Sequence, residues 1–168
     1  MHPSSYNEMK DFVRRYLDES KQLAILDVGS VAVREDSSTY KSLMSSNWKY
    51  VGLDIEKGRN VDLVIKDPYN WREIEDETFD AVISGQALEH IKYPWLTMQE
   101  IVRVTKSKGL ICIVAPSSGF EHRFPIDCYR FYPDGLTALA EFTNIEVLKC
   151  YCNNEGIWKD TVMIGRKK

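Results

Sequence analysis

The chain has 168 residues and a mass of 19.5 kDa, a one-domain length that buries roughly 70% of its unfolded surface without disulfide or metal staples. Lys and Arg number 22 and Asp and Glu 25, for a net charge of −3, which excludes a protein built mainly to grip nucleic acid or an anionic membrane. Charged residues at 28% and hydrophobic ones at 43% exclude wholesale disorder, and no apolar run reaches the roughly 20 residues of a membrane span.

The N-terminal Met-His-Pro-Ser-Ser lacks the basic segment and apolar core of a signal peptide. Cysteines stand at 112, 128, 150 and 152, with no C-x-x-C pair and no second cluster for a zinc site. The expectation is a cytoplasmic protein with four reduced thiols and no metal.

Tyr6, Met9, Phe12, Val13, Tyr16 and Leu17 recur at helical spacing. Ser5 and Glu8 have the spacing of a capping box, so an amphipathic helix of about four turns is predicted within residues 1–21. Leu23 to Gly29 is a short apolar run ended by Asp and Gly, the pattern of a strand buried on both faces of a parallel sheet. Tyr40 to Met44 is weakly helical. Strands follow at Tyr50–Asp54, Val61–Asp67 and Phe79–Gly85.

Pro94 suits a helix start, with Trp95, Met98, Ile101 and Val102 on one apolar face and Lys106 and Lys108 near its C-terminal end. Trp95 and Met98 are assigned to the core. Leu110–Ala115 is a fifth strand, Pro133–Phe142 a helix, and Ile145–Tyr151 and Thr161–Gly165 a late strand pair that suits antiparallel pairing. Six residues between Asp54 and Val61 are few for a parallel crossover, and Gly58 and Asn60 point to a bare loop in place of a helix.

Alternating strands and helices predict one α/β domain over residues 1–168. Its mainly parallel seven-stranded sheet has helices on both faces and an antiparallel C-terminal strand. Residues 23–115 form a cofactor half, 116–132 a candidate substrate loop, and 133–168 the last helix and strand pair. In such sheets ligands bind at the carboxyl ends of the strands. Those ends carry Asp27-Val28-Gly29-Ser30, Asp54, Asp67 and Ser84-Gly85-Gln86.

An acid at the end of the second strand can accept two bonds from a vicinal diol, and Asp67 can accept from an amino group. Asp27 and Asp54 also suit plain capping and turn roles, since Asp commonly caps helices and turns chains. A glycine at 29 allows close backbone approach of a ligand. Tyr69 or Trp71 are candidates for facing a cationic group or stacking on a ring of a ligand.

Ile25 to Ser30 resembles the first motif of class I S-adenosylmethionine-dependent methyltransferases, and Tyr50 to Asp54 resembles the second. Phe79 to Ser84 followed by Ala87-Leu88-Glu89-His90-Ile91 is similar to the fourth-motif signature of the type-11 group. Val104 to Leu110 is similar to that group's connection into the fifth strand. The resemblance spans about residues 23–165. It implies a Rossmann-like methyltransferase fold and S-adenosylmethionine as cofactor, held by Asp27, Gly29, Ser30, Asp54, Ile55, Asp67, Pro68, Ser84, Gly85 and Gln86.

The turn departs from the family pattern. Only Gly29 remains of the usual glycines, and Val31 stands where a second is expected, within the stretch Val31 to Asp36.

Residues 116–132 concentrate polar groups, and long loops in compact domains are disproportionately functional. Arg123, Asp127, Tyr129 and Arg130 are candidates for binding the acceptor; pairing of Arg130 with Asp127 to fix the loop is the alternative. His122 leads as proton acceptor, with His90 second and also suited to closing the loop after the fourth strand.

The expected function is methyl transfer to a small-molecule or sugar-type hydroxyl, amine or carboxylate, without nucleic-acid or membrane partners. A homodimer or a partner protein is compatible with it. The alternative is a methyltransferase fold that has lost catalysis and serves as a binding or regulatory module. A nicotinamide-dependent enzyme is disfavoured because the first turn lacks G-x-G-x-x-G.

Overall fold

The computed structural model describes residues 3–33 and 38–168. Arg34, Glu35 and Asp36, the far part of the glycine-poor turn, lie outside the described residues.

Seven strands form one sheet: β1 (Ala24–Val28), β2 (Lys49–Asp54), β3 (Leu63–Val64), β4 (Phe79–Gly85), β5 (Thr105–Pro116), β6 (Ile145–Cys152) and β7 (Asp160–Lys167), in spatial order β3-β2-β1-β4-β5-β7-β6. The first five run parallel, while β7 lies antiparallel to both β5 and β6. Strand order reverses between β1 and β4, so the carboxyl ends of these two strands open a crevice at the switch point.

Alternate residues of the central strands feed two cores. Leu26, Val28, Val82, Ile111 and Ile113 face one side, where α2 (Pro94–Val104) adds Met98, Ile101 and Val104 and α3 (Pro133–Phe142) adds Leu136 and Ala140. Ile25, Ala81, Ile83, Cys112 and Val114 face the other, covered by Met9, Phe12 and Val13 of α1 (Pro3–Tyr16) and by Tyr40. Strands buried on both faces must be apolar throughout, which is why they read as continuous apolar runs. Among the described residues no helix is long and apolar enough to cross a membrane.

Several local expectations are corrected. The helix α1 starts at Pro3, so Ser5 and Glu8 lie inside it and form no capping box. Ser5 Oγ instead shares a buried 2.5 Å hydrogen bond with the Tyr40 hydroxyl, and Glu8 accepts from Asn153 and the Tyr151 hydroxyl.

The third strand shrinks to Leu63–Val64, reached from β2 by the expected bare loop. Helix α2 passes directly into β5 at Thr105, so Lys106 and Lys108 belong to the strand, and Lys106 Nζ pairs with Asp80 at 2.8 Å. Met98 is core, but Trp95 is 39% exposed.

Candidate functional site

A chain of hydrogen bonds pins the end of β1 and its turn to Tyr50 of β2 and to Asn60 in the loop after β2. The Tyr50 hydroxyl donates to Asp27 Oδ2 at 2.5 Å, and Asn60 Nδ2 donates to the Tyr50 oxygen at 2.8 Å and to the Ser30 carbonyl at 2.9 Å. Ser30 Oγ returns a bond to the Asn60 carbonyl at 3.0 Å. Asp27 is buried, and desolvation together with the charge of Asp54 pushes its carboxyl up to about 7 against the bond from Tyr50. Asp27 and Ser30 therefore build the turn rather than line its open side. Ser84 is also structural: it is buried, and its Oγ donates to the Val28 carbonyl at 2.9 Å.

Gly29 has φ +78°, and a Cβ there would lie 2.4 Å from Ala87 Cβ. The fold itself demands this glycine, whatever ligand lies above it. Val31 takes the path its side chain permits, with Cγ2 over Gly58 and its N–H donated to Asp54 Oδ2 at 2.9 Å.

At the end of β2, Asp54 Oδ1 accepts the N–H groups of Ile55 (2.8 Å) and Glu56 (3.3 Å). A carboxylate has about four acceptor positions, so three backbone donors leave one for a ligand hydroxyl where the sequence suggested two. Ile55 beside it is 49% exposed. Asp67 is exposed in a cleft with Lys66, Asn70, Arg72 and Glu73. Its Oδ1 accepts from Tyr69 N–H at 2.8 Å, and Oδ2 meets no donor among the described residues.

The Pro68 carbonyl is taken by Trp71 Nε1 and Thr97 Oγ1. Trp71 is fully buried, so it cannot stack on a ligand, whereas Tyr69 stays near the surface against Tyr93 at 5.3 Å between ring centres.

Beyond β4, Gly85 lies against the Tyr40 hydroxyl, where any Cβ would collide. Gln86 donates to Asp160 at 2.8 Å, and its buried Oε1 has no donor among the described residues.

The loop after β5 is strapped down across the Glu89–His90 turn. Cys128 and Tyr129 donate their N–H groups to the Glu89 carbonyl at 2.7 and 3.3 Å, and His90 Nδ1 meets the Ile126 carbonyl at 2.6 Å. Arg130 holds Asp127 and caps the Phe120 and Tyr129 carbonyls, so the alternative of an internal pair is the arrangement seen. Arg123 points to solvent beside Glu121 at 2.6 Å, and the Tyr129 hydroxyl donates to the Lys92 carbonyl.

His90 and His122 meet edge-on with ring centres 4.8 Å apart, and Trp158 packs on His122 at 4.7 Å. Burial lowers the His90 pKa, favouring the neutral ring. Glu89, which the sequence reading left without a role, is fully buried, and desolvation pushes its carboxyl up to about 8. Trp158 and Asp160 were also missed; they reach the site from the β6–β7 turn and the first residue of β7, which no spacing within the motifs reveals.

A family model described as a methyltransferase domain matches residues 26–113, just over half of the chain. The chain belongs to this methyltransferase family. No curated protein matches it.

Among solved structures, this methyltransferase domain is similar to a 1,6-didemethyltoxoflavin-N1-methyltransferase of Burkholderia thailandensis with bound 1,6-didemethyltoxoflavin and S-adenosylhomocysteine. The TM-score is 0.75 and the identity 14%, over 98% of this chain and 79% of that one. A SAM-dependent methyltransferase of Methanosarcina mazei matches with TM-score 0.72 and 15% identity, covering 99% and 98% of the two chains. The CurJ carbon methyltransferase matches with TM-score 0.67 and 12% identity, over 92% of this chain and 50% of that one. These likenesses establish the fold.

S-adenosylmethionine is the cofactor this family implies, and the residues present fit its nucleoside end. Asp54 offers a remaining acceptor position at the end of β2, Ile55 an exposed apolar surface next to it, and Asp67, three residues beyond the adjacent strand β3, a second open acceptor. Gln86 Oε1, just beyond the end of β4, is a buried acceptor without a donor among the described residues.

Proposed function

We propose that the protein transfers a methyl group from S-adenosylmethionine to a small-molecule acceptor. The observation that carries this reading is the trio Asp54, Ile55 and Asp67 at adjacent strand ends within a methyltransferase-family chain. Asp54 would accept one ribose hydroxyl, Ile55 would cover the base, and Asp67 would accept from its amino group. When bound, the cofactor supplies an activated methyl on a sulfonium.

The loop over 117–132 and the group Glu89, His90 and His122 bound the acceptor side. The proton acceptor read from the sequence, His122 with His90 second, stands in that group.

Calorimetry with S-adenosylmethionine and S-adenosylhomocysteine tests the reading. The expected result is saturable binding that Asp54→Asn weakens about tenfold or more, since a hydrogen bond to a charged group is worth about 1.5–3 kcal/mol. No heat from either compound at millimolar concentration would overturn it. That outcome would favour the second reading, a non-catalytic binding module, for which the three backbone donors on Asp54 are the supporting observation.

A further inference from the structure

We propose that Glu89, His90 and His122 form a site for one divalent first-row transition cation of the zinc type. One ligand atom from each of the three lies within 4.8 Å of the others. The reading goes beyond methyl transfer, because the cation site exists with or without the cofactor.

Glu89 is the central observation. Its side chain is 0% exposed, and neither carboxylate oxygen has a hydrogen-bond donor among the described residues. A buried carboxyl either keeps its proton or has its charge compensated by a cation or ion-pair partner, because a bare charge is expensive to keep from water. Arg130 is close enough to be felt by Glu89, but both of its terminal nitrogens are committed to Asp127 and to backbone carbonyls.

His90 is already oriented as a ligand. Its Nδ1 faces the Ile126 carbonyl at 2.6 Å. A carbonyl only accepts, so Nδ1 carries the proton and the lone pair is on Nε2, 3.7 Å from Glu89 Oε1. An imidazole whose second nitrogen donates to a carbonyl is the usual outer support of a metal-bound histidine.

His122 completes the set from the loop after β5, with the Asp127 carboxylate 3.5 Å from its Nδ1 and the Trp158 ring closing over it. The straps from Cys128, Tyr129 and Ile126 to the Glu89–His90 turn hold the two segments in place.

Two imidazoles and one carboxylate suit zinc and its neighbours, whereas magnesium and calcium prefer oxygen donors. Bonds of about 2.0–2.2 Å in a tetrahedral shell place ligand atoms roughly 3.4 Å apart, so modest side-chain rotation brings the three together. Three protein ligands leave a position for water or an acceptor oxygen. With a cation bound, the histidines act as ligands and not as free bases.

The test is Co²⁺ titration of the chelator-treated full chain, without cofactor, followed by visible absorption and then Zn²⁺ competition. The expected result is one Co²⁺ per chain with ligand-field bands that Zn²⁺ displaces. Glu89→Gln, His90→Ala and His122→Gln each lower affinity by at least the roughly hundredfold that loss of an outer support can cost, and Cys128→Ser leaves it unchanged. Circular dichroism checks that each variant is folded, and the near-isosteric Glu89→Gln together with the loop variant His122→Gln suffices if His90→Ala unfolds. No saturable Co²⁺ or Zn²⁺ binding at millimolar concentration overturns the proposal. So does binding that survives all folded variants, or binding that disappears with Cys128.

Discussion

Arg130 grips the carboxylate of Asp127 with both terminal nitrogens, at 2.6 Å to one oxygen and 2.8 Å to the other. The same carboxylate accepts the His122 N–H at 2.7 Å, so one acid closes the loop over 117–132 from two directions. Arg130 holds the Asp127 carboxyl well below the ordinary carboxylate range.

Asp127→Asn is expected to cost about 2–3 kcal/mol, somewhat below the loss of a fully buried ion-pair partner because Arg130 keeps some solvent contact. Urea denaturation of parent and variant measures it. The pair's stabilisation is fully present above the unfolded carboxylate value near 3.8 and is lost as pH falls below it toward the lower folded value. The parent is therefore the more acid-sensitive of the two. Equal stability of both proteins at neutral pH would show that the loop does not depend on this pair.

Asp27 acts with the opposite sign. Its carboxyl titrates near 3.8 unfolded and at about 7 folded, so between these values the folded state keeps a proton that the unfolded state has released. Stability from this group falls as pH rises through that window and levels off above it. Asp27→Asn, which can still accept from Tyr50, is expected to flatten that part of the profile. Thermal melting across the window compares the two slopes, and identical slopes would exclude Asp27 as the source.

Gly29→Ala is expected to destabilise the fold by about 1–3 kcal/mol, because φ +78° is strained for any side chain and the new methyl meets Ala87. Chemical denaturation in the absence of cofactor is the right assay. A stable variant that only loses cofactor affinity would assign this glycine to the ligand instead.

Trp71→Ala separates core from site in the same way. Its ring is fully buried and its Nε1 donates to the Pro68 carbonyl at 3.0 Å. The expected loss is about 3–5 kcal/mol of stability. A variant of unchanged stability with impaired cofactor binding would restore the stacking role suggested by the sequence.

The sheet was legible because its central strands are buried on both faces and so appear as uninterrupted apolar runs ending in Asp or Gly. The antiparallel pair, the Pro133–Phe142 helix and the bare loop from β2 to β3 were readable for similarly local reasons. The acids at the strand ends were also visible, but not what they do. Asp27 and Asp54 both stand near the carboxyl ends of neighbouring strands, yet Tyr50 seals the first, while Asp54 keeps one acceptor position beside an exposed Ile55.

That difference is decided by which side chains of other segments fold over each carboxylate, and periodicity carries no information about it. The same holds for Glu89, His90 and His122. Two are neighbours in sequence and read as part of a motif, but the third arrives from a loop 32 positions away. Sequence thus determined the scaffold, whose cause is burial along each strand. Only tertiary structure decided which polar groups are satisfied by the fold and which, like the Glu89 carboxyl, are buried without a donor among the described residues.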